Sequence, residues 1–246
     1  MLADRIVAHR GYQHAYPENT LLAYREAIAA GAHCIETDIS LSADHQPMLY
    51  HDPTLKRVSN KKGRVEQYTA EQLQTFPAYE PKRFGERFVN ETIASLADLV
   101  VLLQQHPHVT GYIEVKKEAV TFAGIVDTYA IISQCLKPVA LQCPLISFDY
   151  DFIAHARVQG WQRCGVVLTR WDDLDSNTVK EINPDIVFCN YKKIPAQANL
   201  DDCNFELVLY EIAEVELAKR WFRRGADKIE TFDVADLIQT LSRHSL

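Results

Sequence analysis

The chain has 246 residues, of which 47% are hydrophobic and 24% are charged, a composition typical of a globular protein. This proportion of apolar residues excludes intrinsic disorder and a collagen-like chain. The 26 Lys and Arg residues against 33 Asp and Glu residues give a formal net charge of −7, which argues against a nucleic-acid binder that is held by phosphate charge.

We expect neither an export signal nor a membrane-inserted segment in this sequence. No apolar run reaches the roughly 18 residues that a membrane-spanning helix needs. Residues 1–6 include Asp4 and Arg5 and lead directly into a predicted strand, so we expect no signal peptide. We therefore expect a cytoplasmic protein without a membrane span. Its six cysteines, none of them at C-x-x-C spacing, are expected to remain thiols.

Short apolar stretches alternate with helical patterns along almost the whole chain. Several of these stretches are continuous apolar runs, such as Val166-Val167-Leu168, which are typical of parallel strands buried on both faces. The predicted strands are 6–9, 34–40, 111–116, 145–148, 164–168, 185–188, 206–210 and 228–230, with a further hairpin-like strand at 48–50.

Helical patterns occupy the segments between most of these strands. The first helix has Asn19 or Thr20 as its N-cap and Gly31 just beyond its end, and the second ends before Pro107. The predicted helices are 20–30, 96–105, 122–136, 152–158, 215–224 and 234–241.

Eight strands that alternate with helices predict an α/β fold of the TIM-type (β/α)8 barrel class. The alternative is a doubly wound parallel sheet, which usually has fewer strands. The length fits one barrel, so residues 1–246 are interpreted as a single domain. Residues 52–95 are too many for an ordinary connection, which predicts an insertion after the second strand, over one mouth of the barrel. Its basic run, 56–64, is interpreted as a solvated face.

Three carboxylates occupy strand ends where a barrel keeps its active site. Glu36 and Asp38 are two residues apart, so both point to one face of their strand, and Glu114 and Lys116 repeat this spacing. Glu36, Asp38 and Glu114 would repel one another strongly in a partly desolvated pocket. A hard divalent cation, Mg²⁺, Ca²⁺ or Mn²⁺, is the simplest remedy for oxygen ligands. The alternative is a set of structural ion pairs, for instance Glu114 with Lys116.

Two histidines follow strands near these carboxylates. His9 ends the first strand and His51 follows the hairpin-like strand. A single histidine is more often structural, but two beside a carboxylate cluster are typical of a general acid and a general base. Arg10 has a planar, permanently charged guanidinium group suited to a phosphate. A salt bridge with Glu18 at the rim is its alternative role.

Five short blocks follow one another along the chain. They are Ala8-His9-Arg10-Gly11, Pro17-Glu18-Asn19-Thr20, Gly31-Ala32-x-x-Ile35-Glu36-x-Asp38, His51-Asp52-x-Thr54-Leu55 and Ile113-Glu114-x-Lys116. In order and spacing, the blocks resemble the glycerophosphodiester phosphodiesterase family. Later segments, Ser147-Phe148 and Gly225-Ala226-Asp227, resemble the second half of the family pattern, so the likeness extends over nearly the whole chain.

The resemblance implies a single TIM-type phosphodiesterase domain with an insertion after the second strand. It implies hydrolysis of glycerophosphodiesters to sn-glycerol 3-phosphate and an alcohol, with one divalent cation, Mg²⁺ or Ca²⁺ and alternatively Mn²⁺. The partner would be the small-molecule diester. The matching positions are Glu36, Asp38 and Glu114 for the metal, His9 and His51 for catalysis, and Arg10 and Lys116 for the substrate phosphate.

Two other functions stay open. The same centre could hydrolyse lysophospholipids or sphingolipids in the manner of a phospholipase D, although a long acyl chain needs an apolar groove or a membrane-facing surface. A barrel that binds phosphodiesters without turnover would be expected to lack a histidine or a carboxylate, and all are present. The sequence does not determine the preferred alcohol, the native metal or the oligomeric state.

The sequence departs from the family pattern at two strand ends of the barrel mouth. Leu209-Tyr210-Glu211-Ile212 stands where the family often has Trp-Thr-Val-Asn or a similar run. Glu230-Thr231-Phe232 replaces a Thr-Asp pair that is common after the eighth strand. These differences concern the pocket for the substrate and leave the metal and histidine positions unchanged.

Overall fold

Eight parallel strands close into a barrel within residues 2–200 and 203–243, which are the residues that the computed structural model describes. The strands in chain order are β1 (Ile6–Ala8), β2 (Cys34–Leu41), β3 (Pro47–Leu49), β4 (Thr110–Val115), β5 (Leu145–Ser147), β6 (Cys164–Val167), β7 (Ile186–Asn190), β8 (Glu206–Tyr210) and β9 (Lys228–Thr231). β1 pairs with both β2 and β9, which closes the ring, and β3 pairs antiparallel with the outer end of β2. The TIM-type barrel is confirmed. The doubly wound alternative is wrong, because an open sheet would leave β1 or β9 at an edge.

Helices surround the barrel between successive strands. They are α1 (Leu21–Ala29), α2 (Lys56–Ser59), α3 (Ala70–Leu73), α4 (Pro81–Phe84), α5 (Leu96–Gln105), α6 (Lys117–Ala123), α7 (Ile125–Leu136), α8 (Tyr150–Val158), α9 (Asn177–Ile182), α10 (Val215–Arg223) and α11 (Val234–Arg243). The predicted helix at 96–105 is confirmed as α5. Those that became α1, α8, α10 and α11 agree within two residues at each end, the usual uncertainty of helix termini.

The helix predicted at 122–136 is wrong in its extent. Two helices, α6 and α7, meet at Gly124, whose φ of 82° lies outside the helical region. The Gly124 N–H donates to the carbonyl of Val120 at 2.8 Å and ends α6. The apolar pattern continued across the glycine and so gave no sign of the break. α9 was not predicted, because six residues are too few for a helical period to be recognised.

Both faces of the barrel strands are buried. One face points to the surrounding helices, as Ile6, Ile35 and Ile113 do. The other face fills the barrel interior with Val7, Cys34, Tyr112, Ile146, Val167, Ile186, Phe188 and Val208. Full burial of such side chains contributes about 1.5–3 kcal/mol each to the hydrophobic free energy of folding. These two layers explain the continuous apolar runs in the sequence and hold the strand ends in fixed positions.

Residues 52–95 run from β3 to α5 through α2, a short 3₁₀ turn at Val65–Gln67, α3 and α4. They share a hydrophobic cluster with β3, made of Met48, Tyr50, Leu55, Val58, Val65, Leu73, Ala78 and Ile93. β3 is the strand next to β2 in the sheet. This packing therefore fixes the segment beside the strand that carries Glu36 and Asp38.

None of the helices in the described ranges is, on its own, long and apolar enough to cross a membrane. The residues 117–123 and 125–142 meet the length and composition test only when taken together, and the two helical parts are bent by 113° at their junction.

Replacing Gly165 by Ala is expected to destabilise the barrel. A Cβ at this position of β6 would lie 2.9 Å from Ile146 Cγ2, Ile186 Cβ and the Ile186 carbonyl. Overpacking of this kind costs about 1–3 kcal/mol. Gly111→Ala on β4 is the matched control, because its nearest neighbour is the flexible Leu103 Cδ1 at 3.2 Å. Urea unfolding measures both changes in the free energy of unfolding, and equal losses in the two variants would contradict this prediction.

Candidate active site

A cavity of about 240 Å³ opens at the carboxyl ends of the barrel strands. Six of the seven residues singled out in the sequence line it: His9, Arg10, Glu36, His51, Glu114 and Lys116. The seventh, Asp38, is buried beside the cavity and contacts Arg10 and Lys116. The remaining lining residues are Phe148, Val167, Phe188, Tyr210, Glu211 and Glu230. The tertiary structure thus brings together side chains that are more than 100 residues apart in the chain.

The turn after β1 presents Arg10 to the site. Arg10 has a φ of 53°, and its backbone N–H donates to Glu36 Oε2 at 3.1 Å. Gly11 has a φ of 83°, and a Cβ there would lie 2.7 Å from the backbone of Ala23 in α1. Only glycine fits both the backbone conformation and this close approach. The Arg10-Gly11 sequence is therefore what directs the Arg10 side chain back over β2.

Asp38 is the carboxylate whose charge is most fully compensated. Its oxygens lie 2.9 Å from Arg10 Nε and 3.2 Å from Lys116 Nζ, and Asn19 Nδ2 donates to Oδ2 at 2.9 Å. Burial by itself raises the pKa of Asp38, but the charges of Arg10 and Lys116 outweigh burial and hold that pKa well below its usual range. Asp38 is therefore ionised near neutral pH.

The carboxylates of Glu36 and Glu114 have fewer partners than that of Asp38. Lys116 Nζ donates to Glu114 Oε1 at 2.6 Å, so the ion pair considered as the alternative does form. Glu36 is only 2% exposed, and its Oε1 has no hydrogen-bond partner among the described residues. Burial, followed by the negative charge of Asp38, raises the pKa of Glu36 well above its usual range. A structural ion pair alone thus leaves one buried carboxylate oxygen unsatisfied.

This donor set fits a hard divalent cation. One oxygen from each of Glu36, Asp38 and Glu114 lies within 4.8 Å of the others. Carboxylate oxygens are preferred ligands of Mg²⁺, Ca²⁺ and Mn²⁺. The unsatisfied Oε1 of Glu36 is the specific observation that points to such an ion, because a bound cation would supply the partner that the protein does not.

Each histidine uses Nδ1 for a structural hydrogen bond. His9 Nδ1 lies 3.0 Å from Gln13 Oε1, and Gln13 Nε2 donates to Glu18 at 2.9 Å. That second bond fixes which end of the Gln13 amide faces His9, so Nδ1 carries the proton and Nε2 is the basic nitrogen. Burial, followed by the positive charge of Arg10, lowers the pKa of His9 to about 3. His51 Nδ1 lies 2.8 Å from Asp52 Oδ1.

A buried acid, Glu18, connects the two sides of the site. Arg10 donates to Glu18 at 3.0 Å, and Arg57 donates to both Glu18 oxygens at 2.6 and 2.8 Å. Arg57 also donates from Nε to Asp52 Oδ2 at 2.7 Å. The Arg10–Glu18 pair that the sequence left as an alternative is present, together with the contact between Arg10 and Asp38. Arg57 belongs to the run 56–64 that was interpreted as a solvated face; its side chain is 40% exposed, and its guanidinium also reaches buried Glu18.

Two further carboxylates line the cavity at the departures from the family pattern. Glu211 lies at the rim and accepts a hydrogen bond from Asn190 at 2.8 Å. Glu230 is 4% exposed, and no hydrogen-bond partner for its Oε1 lies among the described residues. Burial, followed by the charge of Glu114, raises the pKa of Glu230 well above its usual range. No role is predicted for Glu230 from the sequence, where its signals are the departure from the family pattern and a charge at the end of an apolar strand.

The segment that carries these seven residues matches known proteins. A sequence model described as the glycerophosphoryl diester phosphodiesterase family matches residues 9–160, a span that contains all seven of them. A glycerophosphodiester phosphodiesterase of Caldanaerobacter subterraneus is 34% identical over 120 residues, 49% of this chain and 48% of that protein. Glycerophosphodiester phosphodiesterase 1 of Homo sapiens is 37% identical over 118 residues, 47% of this chain and 35% of that protein. The chain thus spans about half the length, or less, of these relatives.

Solved structures resemble the whole barrel. A phosphodiesterase of Oleispira antarctica, in complex with the product sn-glycerol 3-phosphate, has a TM-score of 0.85 and 21% identity, covering 97% of this chain and 96% of the other. A glycerophosphodiester phosphodiesterase of Thermotoga maritima has a TM-score of 0.72 and 21% identity, covering 96% and 98%. At these identities the likeness shows the fold.

Replacing Arg57 by Gln is expected to lower the free energy of unfolding by about 1–3 kcal/mol, because buried Glu18 loses a charged donor. Hydrogen bonds from Arg57 outweigh burial and lower the pKa of Glu18, and the pKa of Asp52 is lowered against burial by its hydrogen bonds with His51 and then Arg57. Stability from a carboxylate with a lowered pKa is present above its unfolded pKa, about 4, and is lost as pH falls below it. The difference in the free energy of unfolding between the wild type and Arg57→Gln should therefore shrink in acid.

Arg64→Gln is the control for this experiment, because Arg64 lies in the same segment and pairs with Glu66, whose side chain is 25% exposed, and not with a buried acid. Urea unfolding of the three proteins at pH 7 and at pH values near 3 measures the effect. A destabilisation by Arg57→Gln that is the same at both pH values would show that Arg57 acts through packing and not through the two carboxylates.

Proposed function

Because the chain belongs to the glycerophosphoryl diester phosphodiesterase family, we propose that it hydrolyses glycerophosphodiesters to sn-glycerol 3-phosphate and an alcohol, with a divalent cation and with His9 and His51 as the proton-transfer groups. The observation that carries the proposal is the cavity itself. Both histidines, two cationic side chains and an incompletely paired set of carboxylates line one space of about 240 Å³. Such a space suits a small diester, whereas a long acyl chain would need an apolar groove or a membrane-facing surface.

Glu36, Asp38 and Glu114 would hold the cation, Mg²⁺, Ca²⁺ or Mn²⁺. When bound, the cation supplies Lewis-acid stabilisation of the charge that develops on the phosphate oxygens. Lys116 and Arg10 remain able to contact a phosphate. The Lys116 ammonium has three donors and uses two on Asp38 and Glu114, and Arg10 uses one of its terminal nitrogens on Glu18. The Lys116 and Arg10 side chains thus each neutralise a carboxylate and still have a donor for an anion.

We propose different roles for the two histidines. His9 is neutral near pH 7 because burial lowers its pKa to about 3, so its Nε2 can accept a proton from the nucleophile as the general base. His51 is held through Nδ1 by the Asp52 carboxylate at 2.8 Å, which orients the ring. With His9 as the base, His51 is left as the general acid that protonates the leaving alcohol.

We also propose that the whole chain acts as one catalytic domain, with 52–95 as an insertion that completes the site. Three contacts support this. Arg57 from the insertion binds Glu18 and Asp52, and the Glu18 backbone N–H donates to Glu80 Oε2 at 2.9 Å. The insertion is thus part of the hydrogen-bond network that orients His51.

Removal of divalent cations with a chelator is expected to abolish hydrolysis of glycerophosphocholine, and Mg²⁺, Ca²⁺ or Mn²⁺ should restore it. Independently of activity, the cation should raise the Tm of the chelated protein, because a ligand that binds only the folded state stabilises it. Glu36→Gln should lose this rise in Tm, whereas Glu71→Gln, an exposed position on α3, should keep it. Full activity together with an unchanged Tm in excess chelator would rule out the metal centre.

His9→Ala and His51→Ala are each expected to lower kcat/KM by about 10²–10⁴, the range for a positioned proton-transfer group. His14→Ala is the control, because that histidine is 62% exposed and lies outside the cavity. A p-nitrophenyl diester separates the two roles, since its leaving group needs no proton. It should restore the rate of His51→Ala and leave His9→Ala slow, and rescue of the His9 variant instead would reverse the assignment.

A further inference from the structure

Glu230 is a buried carboxylate that the proposed reaction does not use. It lies at the end of β9, where it aligns with Val7 of β1, and the alignment of Leu209 with Ile229 makes Tyr210 its neighbour on β8. Both Tyr210 and Glu230 line the cavity. The side chain of Glu230 is therefore directed inward, into the space that the substrate would enter.

The surroundings of Glu230 do not satisfy it. Its Oε1 lacks a hydrogen-bond partner within residues 2–200 and 203–243. The neighbouring lining residues on β6, β7 and β8 are Val167, Phe188 and Tyr210, and the two basic lining residues, Arg10 and Lys116, already bind other carboxylates. A buried polar group without a partner costs free energy. A bound molecule that supplies a donor would remove this cost.

Glu230 lies on the His9 side of the cavity. A carboxylate oxygen of Glu230 lies within 4.8 Å of a ring nitrogen of His9 and of a carboxylate oxygen of Glu36. Glu230 does not belong to the set formed by Glu36, Asp38 and Glu114. The group that meets Glu230 would therefore also meet His9, whose Nε2 is an acceptor. Both groups accept hydrogen bonds and a hydroxyl has one proton to donate, so a hydroxyl that donates to Glu230 would lie next to His9 without donating to it at the same time.

The depth of Glu230 indicates which part of a diester it would meet. Glu230 is buried, whereas Glu211 at the rim is exposed. In a glycerophosphodiester, the glycerol half is common to all substrates and is small, so it suits the enclosed floor. The variable alcohol suits the open mouth, where its size is not restricted.

Resting on the proposed function, we propose that Glu230 is a substrate-binding residue that hydrogen-bonds a hydroxyl of the glycerol half and holds it next to His9. This contact recognises glycerol and is independent of the alcohol. It distinguishes glycerophosphodiesters from phosphodiesters that lack the hydroxyl, because only the hydroxyl satisfies the buried carboxyl.

A double-mutant cycle between enzyme and substrate tests the contact. The substrates are glycerophosphocholine and two analogues in which one or the other glycerol hydroxyl is replaced by hydrogen. The enzymes are the wild type, Glu230→Leu, the conservative Glu230→Gln, and Glu214→Gln, an exposed control outside the cavity. With the parent diester, Glu230→Leu is expected to lower kcat/KM about 10- to 100-fold, and Glu230→Gln should lose less. With the analogue that lacks the contacted hydroxyl, Glu230→Leu should cause no further loss of kcat/KM.

Three results would overturn the assignment. If Glu230→Leu lowers kcat/KM for both analogues by the same factor as for the parent diester, Glu230 touches neither hydroxyl. A loss for glycerophosphocholine that exceeds the loss for glycerophosphoglycerol would place the carboxyl against the head group. A loss that extra cation reverses would place Glu230 in the metal centre.

Binding keeps the contact separate from turnover. Calorimetric titration of cation-loaded enzyme with sn-glycerol 3-phosphate and its two deoxy analogues measures the same contact without a reaction. If no diester is hydrolysed by the wild type, the proposed function fails. In that case the contact is supported if Glu230→Leu weakens binding of sn-glycerol 3-phosphate more than binding of one deoxy analogue. Equal weakening of all three ligands would contradict it.

Discussion

The compensation of buried charge around Asp38 is the constraint on which the rest of the site depends. The carboxyl ends of β2 and β4 carry carboxylates into a hydrophobic barrel, where an unpaired charge is costly. Arg10 and Lys116 reach Asp38 from β1 and β4 and hold it ionised. The same two cations bind Glu18 and Glu114, so each is shared between two acids. Loss of either cation would remove a charged partner from two carboxylates at once.

Charge compensation is incomplete on one side of Asp38, and that side faces the cavity. Glu36 and Glu230 each retain a buried oxygen without a hydrogen bond among the described residues. A protein core normally satisfies such groups, and exceptions in a cavity are typical of sites that bind a ligand. The two oxygens suggest two different partners, a cation for Glu36 and a substrate hydroxyl for Glu230, because only Glu36 belongs to the set of three convergent carboxylates.

The second histidine connects the barrel to its insertion. His51 follows β3, a strand outside the ring of parallel strands, and its orientation comes from Asp52 and Arg57. Arg57 lies in α2 and reaches Glu18, which also binds Arg10. A single hydrogen-bonded chain therefore joins β1, the hairpin and the insertion. Packing of the insertion against β3 and the orientation of His51 are consequently parts of one arrangement.

The sequence by itself determined the barrel and the main residues that line its mouth. Alternating strands and helices, with charges two residues apart at the strand ends, were sufficient for this, because side-chain direction in a strand follows a period of two. Contacts between distant segments were decided only by the tertiary structure. Arg57 lies in a basic run that looks solvated, and only packing of the insertion turns it towards Glu18. Packing of the insertion gave Glu18 its partner Arg57, and closure of the barrel placed Glu230 beside His9 and Glu36. Local periodicity contains no information on which buried charge meets which, because that depends on distances that arise only when β9 returns to pair with β1.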